Sequence, residues 1–344
     1  MAVVTRGFGS IRHLPIMSGR QPFVHRRPID TFLRGENDAS SPQSYLNHCR
    51  MPATDDWRPL YPFASHFQWV GSVKQHFLDE GAGETLLCVH GNPTWSFYWR
   101  NIVLGMRDRC RLIVPDHIGC GLSDKPAKYD YTLTKHIDNL VELVRHLNLE
   151  RVTLLAHDWG GAIGLGTVLR MPDRFSRIVL FNTGAFPPPY IPRRIQACRI
   201  PGLGTLGVRG LNLFARAALR MATEKPDRMT PAVKHGLLAP YDNWCDRIAI
   251  DRFVKDIPAS PRHRTWQPLA EIEAGLPSLA ERPKLLVWGM RDWCFRPDCL
   301  DRFLQAWPNA ETERYDDCGH YVIEDAHERI VPRLRQFLDD HPLA

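Results

Sequence analysis

The segment Leu154-Leu155-Ala156-His157-Asp158-Trp159-Gly160-Gly161 constrains this chain more than any other. An apolar run ends in a reactive residue, and glycines follow it into a helical pattern. That is the rhythm of a nucleophile elbow, the sharp strand-to-helix turn whose usual form is G-x-S-x-G. Here Asp158 stands at the serine position and Ala156 replaces the first glycine. Alanine and Gly160 are both small enough for so tight a turn. The carboxylate also narrows the chemistry. A serine that attacks a saturated carbon leaves an ether, which water does not readily cleave. An aspartate leaves an ester, which a base-activated water can hydrolyse. Asp158 therefore points to displacement at an electrophilic carbon rather than to peptide or ordinary ester cleavage. The plainer alternative for an aspartate after a strand is a helix N-cap.

Apolar runs of strand length recur around this junction: Thr85 to His90, Arg111 to Asp116, Arg151 to Asp158, Arg177 to Asn182 and Lys284 to Arg291. His66 to Val70 and Lys74 to Asp79 predict a hairpin around Gly71-Ser72. Helical patterns lie between the runs, over Tyr98 to Arg107, Leu133 to Leu147, Trp159 to Leu169 and Cys299 to Trp307. Ile137, Leu140, Val141, Val144 and Leu147 have the spacing of a one-sided helix. Such alternation predicts an α/β fold, a mostly parallel sheet flanked by helices. It stops between about Ala185 and Glu281, a stretch that opens on Pro187-Pro188-Pro189 and shows loops and helices without a convincing strand. We read this as a helical cap over the carboxyl ends of the strands, where open sheets place their ligands. The expected organisation is an N-terminal extension at 1–55, flexible and without periodicity, a core at 56–185 and 282–344, and a cap at 186–281. A chain of 344 residues is long enough for one large core with such an insertion.

Charge excludes some functions. Residues 1–50 carry seven arginines against Asp30, Glu36 and Asp38, so +4 of the net +6 sits there. The remaining body has no basic stripe of the kind a nucleic-acid binder needs. Met51 precedes the first globular-looking segment, which is compatible with a natural start at that methionine. The nine cysteines are scattered without a CxxC pair, and several sit inside apolar runs, as Cys88 does. They read as reduced thiols of a cytoplasmic protein. Cys294 and Cys299 have no second pair or histidine cluster nearby, so a zinc site is not expected. No apolar run is long enough to span a membrane, and the N-terminus lacks the apolar stretch of a secretory signal.

Gly202-Leu203-Gly204-Thr205-Leu206-Gly207 matches G-x-G-x-x-G, but no strand pattern precedes it and no strand-borne acid follows, as a dinucleotide site requires. We expect a loop leading into a cap helix from Leu211 to Met221. Three other segments fall where an α/β-hydrolase needs them. His90-Gly91-Asn92-Pro93 ends the third strand and can supply one side of an oxyanion hole. Gly289-Met290-Arg291-Asp292 ends a late strand, and Asp317-Cys318-Gly319-His320 precedes the last helix. The order nucleophile, acid, histidine is then Asp158, Asp292, His320, with His320 as general base and Asp292 holding its tautomer. Asp116, in Pro115-Asp116-His117-Ile118-Gly119, is expected to form a turn or cap.

His157-Asp158-Trp159-Gly160-Gly161, His90-Gly91-Asn92-Pro93-Thr94 and Gly119-Cys120-Gly121-Leu122-Ser123-Asp124-Lys125-Pro126 resemble the haloalkane dehalogenases, from about Trp57 to the C-terminus. The resemblance implies an α/β-hydrolase fold, an aspartate nucleophile, and an asparagine and a tryptophan that donate N–H groups to the departing halide, here Asn92 and Trp159. It implies no cofactor or metal. An indole N–H and an amide NH2 suit a leaving anion in a dry pocket, because both donate hydrogen bonds without adding charge. Some members carry the acid after the strand preceding the cap, but here that strand ends Leu180-Phe181-Asn182-Thr183, so the acid falls to Asp292. That choice, with the cap segments Tyr241-Asp242-Asn243-Trp244 and Phe253-Val254-Lys255-Asp256-Ile257-Pro258, is most similar to the third subfamily. That subfamily also resembles the β-lactone decarboxylases of olefin biosynthesis.

The leading expectation is hydrolysis of a haloalkane to alcohol and halide through a covalent alkyl-aspartate ester. The alternative is decarboxylation of a β-lactone to an alkene and carbon dioxide. Epoxide hydrolysis is a third reading, for which Tyr190 and Tyr241 would have to activate the oxygen; Asn92 argues against it. Between Ile200 and Ala222 the chain is apolar apart from Arg209, Asn212, Arg216 and Arg220. This is either a cap helix packed on the core or an exposed surface for self-association or membrane contact.

Overall fold

The computed structural model describes residues 56–343. The expected extension at 1–55 and the start at Met51 lie outside the described residues. Eight strands form one sheet: β1 (His66–Val70), β2 (Val73–Glu80), β3 (Glu84–Val89), β4 (Cys110–Pro115), β5 (Val152–Asp158), β6 (Phe175–Thr183), β7 (Lys284–Gly289) and β8 (Glu311–Tyr315). Their order is β1-β2-β4-β3-β5-β6-β7-β8. The β1–β2 hairpin closes at Val70↔Val73 as expected, and Gly71 takes the left-handed φ of 62° that the turn needs. β2 also runs antiparallel to β4; every later pairing is parallel.

The central strands read as continuous apolar runs because both sheet faces are covered. Alternate residues serve the two sides. Leu86, Cys88, Leu155, Val179 and Val287 pack with α1 (Arg100–Met106) and α11 (Val322–Asp340). Leu87, Val89, Leu154, Ile178 and Leu286 pack with α2 (Leu133–His146), α3 (Trp159–Arg170) and α10 (Pro297–Ala306). Thr132 begins α2 by accepting the Lys135 N–H, a side-chain N-cap.

Between β6 and β7 the chain forms α4 (Arg193–Cys198), α5 (Leu203–Thr205), one π-helical turn (Leu206–Gly210), α6 (Leu213–Met221), α7 (Pro231–Leu238), α8 (Ile248–Asp256) and α9 (Trp266–Gly275). No strand lies in this insertion among the described residues. The glycine-rich stretch after Gly202 is helical rather than the expected loop, and α6 starts at Leu213 rather than Leu211. No strand precedes it, in keeping with rejection of the dinucleotide motif.

The sequence pattern predicts no strand at β8. Its residues Glu311-Thr312-Glu313-Arg314-Tyr315 are polar because it is an edge strand, and Arg333 of α11 pairs with both Glu311 and Glu313. The eight described cysteines are all free, and among the described residues no helix is long and apolar enough to cross a membrane.

Candidate active site

β5 runs directly into α3, and Asp158 sits at the bend with φ 53° and ψ −128°. That conformation is costly for a residue with a Cβ, by about 1–3 kcal/mol, and the surroundings hold it. Thr183 donates its hydroxyl to the Asp158 carbonyl. Gly160 lets the turn press against β3, since a Cβ there would lie 2.1 Å from the Val89 carbonyl oxygen. The Asp158 side chain does not cap α3; it projects toward the loop after β3. There its Oδ1 accepts the backbone N–H of Asn92 at 2.6 Å, and the Trp159 N–H supports it as well. Gly91 makes room, because a Cβ at that position would stand 2.1 Å from Asp158 Oδ1.

The structure brings the other sequence-predicted residues to the same point. His320 Nε2 lies 3.6 Å from Asp158 Oδ2, and His320 Nδ1 lies 2.8 Å from Asp292 Oδ2. Asp292 Oδ1 accepts the Cys294 N–H at 2.6 Å. All three side chains are buried. The Asn92 amide NH2 donates to the Ile250 carbonyl at 3.3 Å, which leaves its second hydrogen for the cavity. Trp159 is half-buried against Phe253, and its indole N–H has no partner among the described residues.

Electrostatics sharpen the arrangement. Burial raises the Asp158 pKa, against the His320 charge and the two backbone N–H groups that lower it. For His320, burial disfavours the imidazolium, but the carboxylates of Asp292 and Asp158 outweigh it and raise the pKa. A neutral imidazole with Nδ1–H on Asp292 presents Nε2 as an acceptor toward Asp158. The group can thus form and break an ester on Asp158, with Nε2 placed to take a proton from water.

Asp158, Asn92, Trp159 and His320 line one cavity of about 1080 Å³, its mouth included. Most of the wall is apolar, with Phe186, Ile195, Phe214, Val254, Ile257 and Leu269 among its residues. Tyr190 also lines it, with its hydroxyl donated to the Cys294 carbonyl at 2.8 Å. Tyr241 does not: it is buried on Thr94, donating to that carbonyl at 3.2 Å. The structure therefore does not bring together the tyrosine pair that epoxide opening would call for.

Some supporting residues carry no signal in the sequence. Asn182 is the penultimate residue of β6, and its NH2 donates to Asp292 Oδ2 at 3.0 Å while its Oδ1 accepts the Gly289 N–H at 2.7 Å. The strand end that lacks a carboxylate thus still holds the acid in place. His157 donates Nε2–H to the His320 carbonyl at 2.9 Å. Asp325 accepts the N–H groups of Gly319 at 2.8 Å and Glu224 at 3.0 Å, joining the His320 loop to the insertion. Asp116 is structural as expected, accepting the Ser96 and Leu122 N–H groups and contacting His76 at 2.8 Å. Its only sequence signal, a place after a strand, is shared with Asp158.

Comparison with known proteins bears on this site. The family described as alpha/beta hydrolase fold matches residues 84–197 and 214–326. A cis-3-alkyl-4-alkyloxetan-2-one decarboxylase of Shewanella oneidensis is 42% identical over 287 residues, covering 82% of this chain and 90% of the relative. Its namesake from Xanthomonas campestris pv. campestris is 44% identical over 284 residues, covering 79% and 94%. Haloalkane dehalogenase 2 of Mycobacterium tuberculosis is 33% identical over 280 residues, covering 80% and 95%. Among solved structures, haloalkane dehalogenase DatA from Agrobacterium tumefaciens C58 superposes with a TM-score of 0.72 at 25% identity, over 80% of this chain and 96% of that one.

Proposed function

The chain belongs to the alpha/beta hydrolase fold family, and from that premise we propose that it is a cytoplasmic enzyme that converts cis-3,4-dialkyl-β-lactones to alkenes and carbon dioxide through an ester on Asp158. The observation that carries this reading is the Asp158 carboxylate on the floor of a large apolar cavity, with Asn92 and Trp159 donors beside it. The 42–44% identity to two named β-lactone decarboxylases supports the lactone as electrophile. The apolar wall suits alkyl substituents, and residues 186–281 serve as the cap over them.

The steps balance without water or a net proton. An Asp158 oxygen attacks C4 of the lactone, forming a C4–O bond as the ring C4–O bond breaks. The displaced pair becomes a carboxylate, held by the Asn92 amide and Trp159 indole N–H groups. Loss of carbon dioxide then places the C3–carboxyl pair in a C3=C4 bond, and the C4–O bond to Asp158 breaks, regenerating its carboxylate. Inversion at C4 followed by anti loss preserves the cis arrangement.

The His320–Asp292 pair favours a second reading, hydrolytic dehalogenation, because the lactone route needs no base. Asp158 would displace halide onto the same two donors, and His320 would activate water to cleave the ester. Esterification removes the Asp158 charge, one of the two that raise the His320 pKa. The imidazole is then more readily neutral at the step that needs a base.

The two readings part at His320. The test is alkene and carbon dioxide formation from a cis-dialkyl-β-lactone, run beside bromide release from a bromoalkane panel. Wild type should form alkene. His320→Ala should still form alkene, while releasing at most one bromide per enzyme and gaining the alkyl mass. Bromide turnover without alkene in wild type overturns the lactone assignment in favour of dehalogenation.

A further inference from the structure

The outer side of the helical insertion is unlike the rest of the surface. Nine large apolar side chains are strongly exposed among the described residues, and six of them belong here: Ile200, Leu203, Leu206, Leu211, Leu213 and Trp244. Leu203 is 66% exposed and Leu211 61%. Four of them lie together. A Cβ built on Gly210 would contact both Leu206 and Trp244, at 3.1 and 3.7 Å, one on Gly207 would contact Leu213 at 3.4 Å, and the Leu211 N–H bonds to the Leu206 carbonyl at 3.2 Å. Contiguous exposed apolar surface marks an interaction site far more often than scattered single residues do.

The charge around this patch has one sign. Residues 186–223 contain six arginines, at 193, 194, 199, 209, 216 and 220, and no aspartate or glutamate. Arg199 is spent internally on the Val254 and Ile257 carbonyls. Arg209 lies over the Trp244 ring at 4.5 Å. Arg193, Arg194, Arg216 and Arg220 are exposed and make no ion pair among the described residues. Of the four acids in the adjoining 241–256 stretch, Asp246, Asp251 and Asp256 are buried, and only Asp242 adds an exposed carboxylate.

We propose that this face docks on an anionic phospholipid bilayer, with the leucines and Trp244 entering the interface and the arginines on the lipid phosphates. Exposed arginines flanking an apolar patch match the two layers of a bilayer surface, apolar interior and anionic headgroup. A second copy of the chain fits less well, because a two-fold interface would set one arginine cluster against the other. The position also makes functional sense. α4 and α6 carry Leu213 and the exposed Arg193, Arg194, Arg216 and Arg220 on one side, and on the other they send Ile195, Phe214 and Ala218 into the wall of the cavity at Asp158. A water-insoluble electrophile could then pass from the bilayer to Asp158 through one apolar layer. That route rests on the apolar substrate proposed above; the docking itself does not.

The test uses the full chain without substrate. Vesicles of phosphatidylcholine alone are compared with vesicles carrying about 30 mol% phosphatidylglycerol, at about 0.05 and about 0.5 M salt, by co-sedimentation. The protein should sediment with the anionic vesicles, less so at high salt. The pair Arg216→Glu and Arg220→Glu should weaken binding more than about 25-fold, since each arginine near such a surface contributes about fivefold. Leu203→Glu with Leu206→Glu should abolish it. Both double variants should keep wild-type circular dichroism and wild-type turnover of a short-chain, water-soluble substrate. No binding to anionic vesicles, or equal binding to phosphatidylcholine alone, overturns the proposal. So does light scattering that finds a lipid-free oligomer which Leu203→Glu with Leu206→Glu dissolves, since a second copy then covers the face. Vesicle binding by a protein inactive on lactones would retain the docking and remove only the substrate.

Discussion

In the cavity wall Asp158 is held by backbone, whereas α4 and α6 meet the same space with side-chain bulk. Around Asp158 the determinants are two N–H groups, a left-handed bend and two glycines whose added Cβ would collide at 2.1 Å. Around α6 they are Phe214, Ala218 and Ala222, inward-facing residues of a helix whose other side is exposed. The first region tolerates almost no displacement, because reactive alignment is lost within about 1 Å. The second fixes volume and shape, which several residue combinations can satisfy. On the proposed function, the comparison assigns bond-making and substrate choice to separate parts of the fold, which could then be altered separately.

Four measurements can break or sharpen that separation. Asp158→Asn keeps the shape and removes the carboxylate, so turnover of either electrophile should fall by about 10⁴-fold or more. Intact-protein mass spectra should show no substrate adduct. Gly91→Ala leaves every proposed catalytic group in the sequence yet drives a Cβ into Asp158 Oδ1. Its activity should drop by at least about 10²-fold with circular dichroism unchanged. An active Gly91→Ala enzyme would show that the elbow is looser than its geometry.

Phe214→Ala should change the other region alone: about tenfold in kcat/KM for long-chain substrates, or ~1.4 kcal/mol, with little loss for short ones. A comparable loss for every chain length would couple the insertion to the chemistry and undo the comparison. The smallest effect is in pH dependence. Attack needs ionised Asp158, whose pKa is raised by burial. The acid limb of kcat/KM should therefore lie above the ordinary 3.8 for both substrate classes. Ester hydrolysis also needs neutral His320, so only bromide turnover should show a further loss as pH falls through the imidazole pKa.

The elbow, the order Asp158, Asp292, His320 and the place of Asn92 and Trp159 were legible because each rests on a short segment at a strand end. Local pattern carries such information: apolar run, reactive residue, small residues, helix. β8 was not legible, since an edge strand needs neither apolar alternation nor buried residues, and its charges are matched only by Arg333 in a distant helix. The split between Tyr190, in the cavity, and Tyr241, buried on Thr94, was equally hidden.

By itself the sequence determined the kind of sheet that presents Asp158 and the position of that carboxylate at its sharpest turn, because residue type and near-neighbour spacing are properties of the chain. Only the tertiary structure decided that Asn182 would steady Asp292 across 110 residues, that Asp325 would tie the His320 loop to the insertion, and which side of residues 200–221 would face solvent. Those outcomes depend on contacts between segments far apart in sequence, and no periodicity within one segment records what will pack against it.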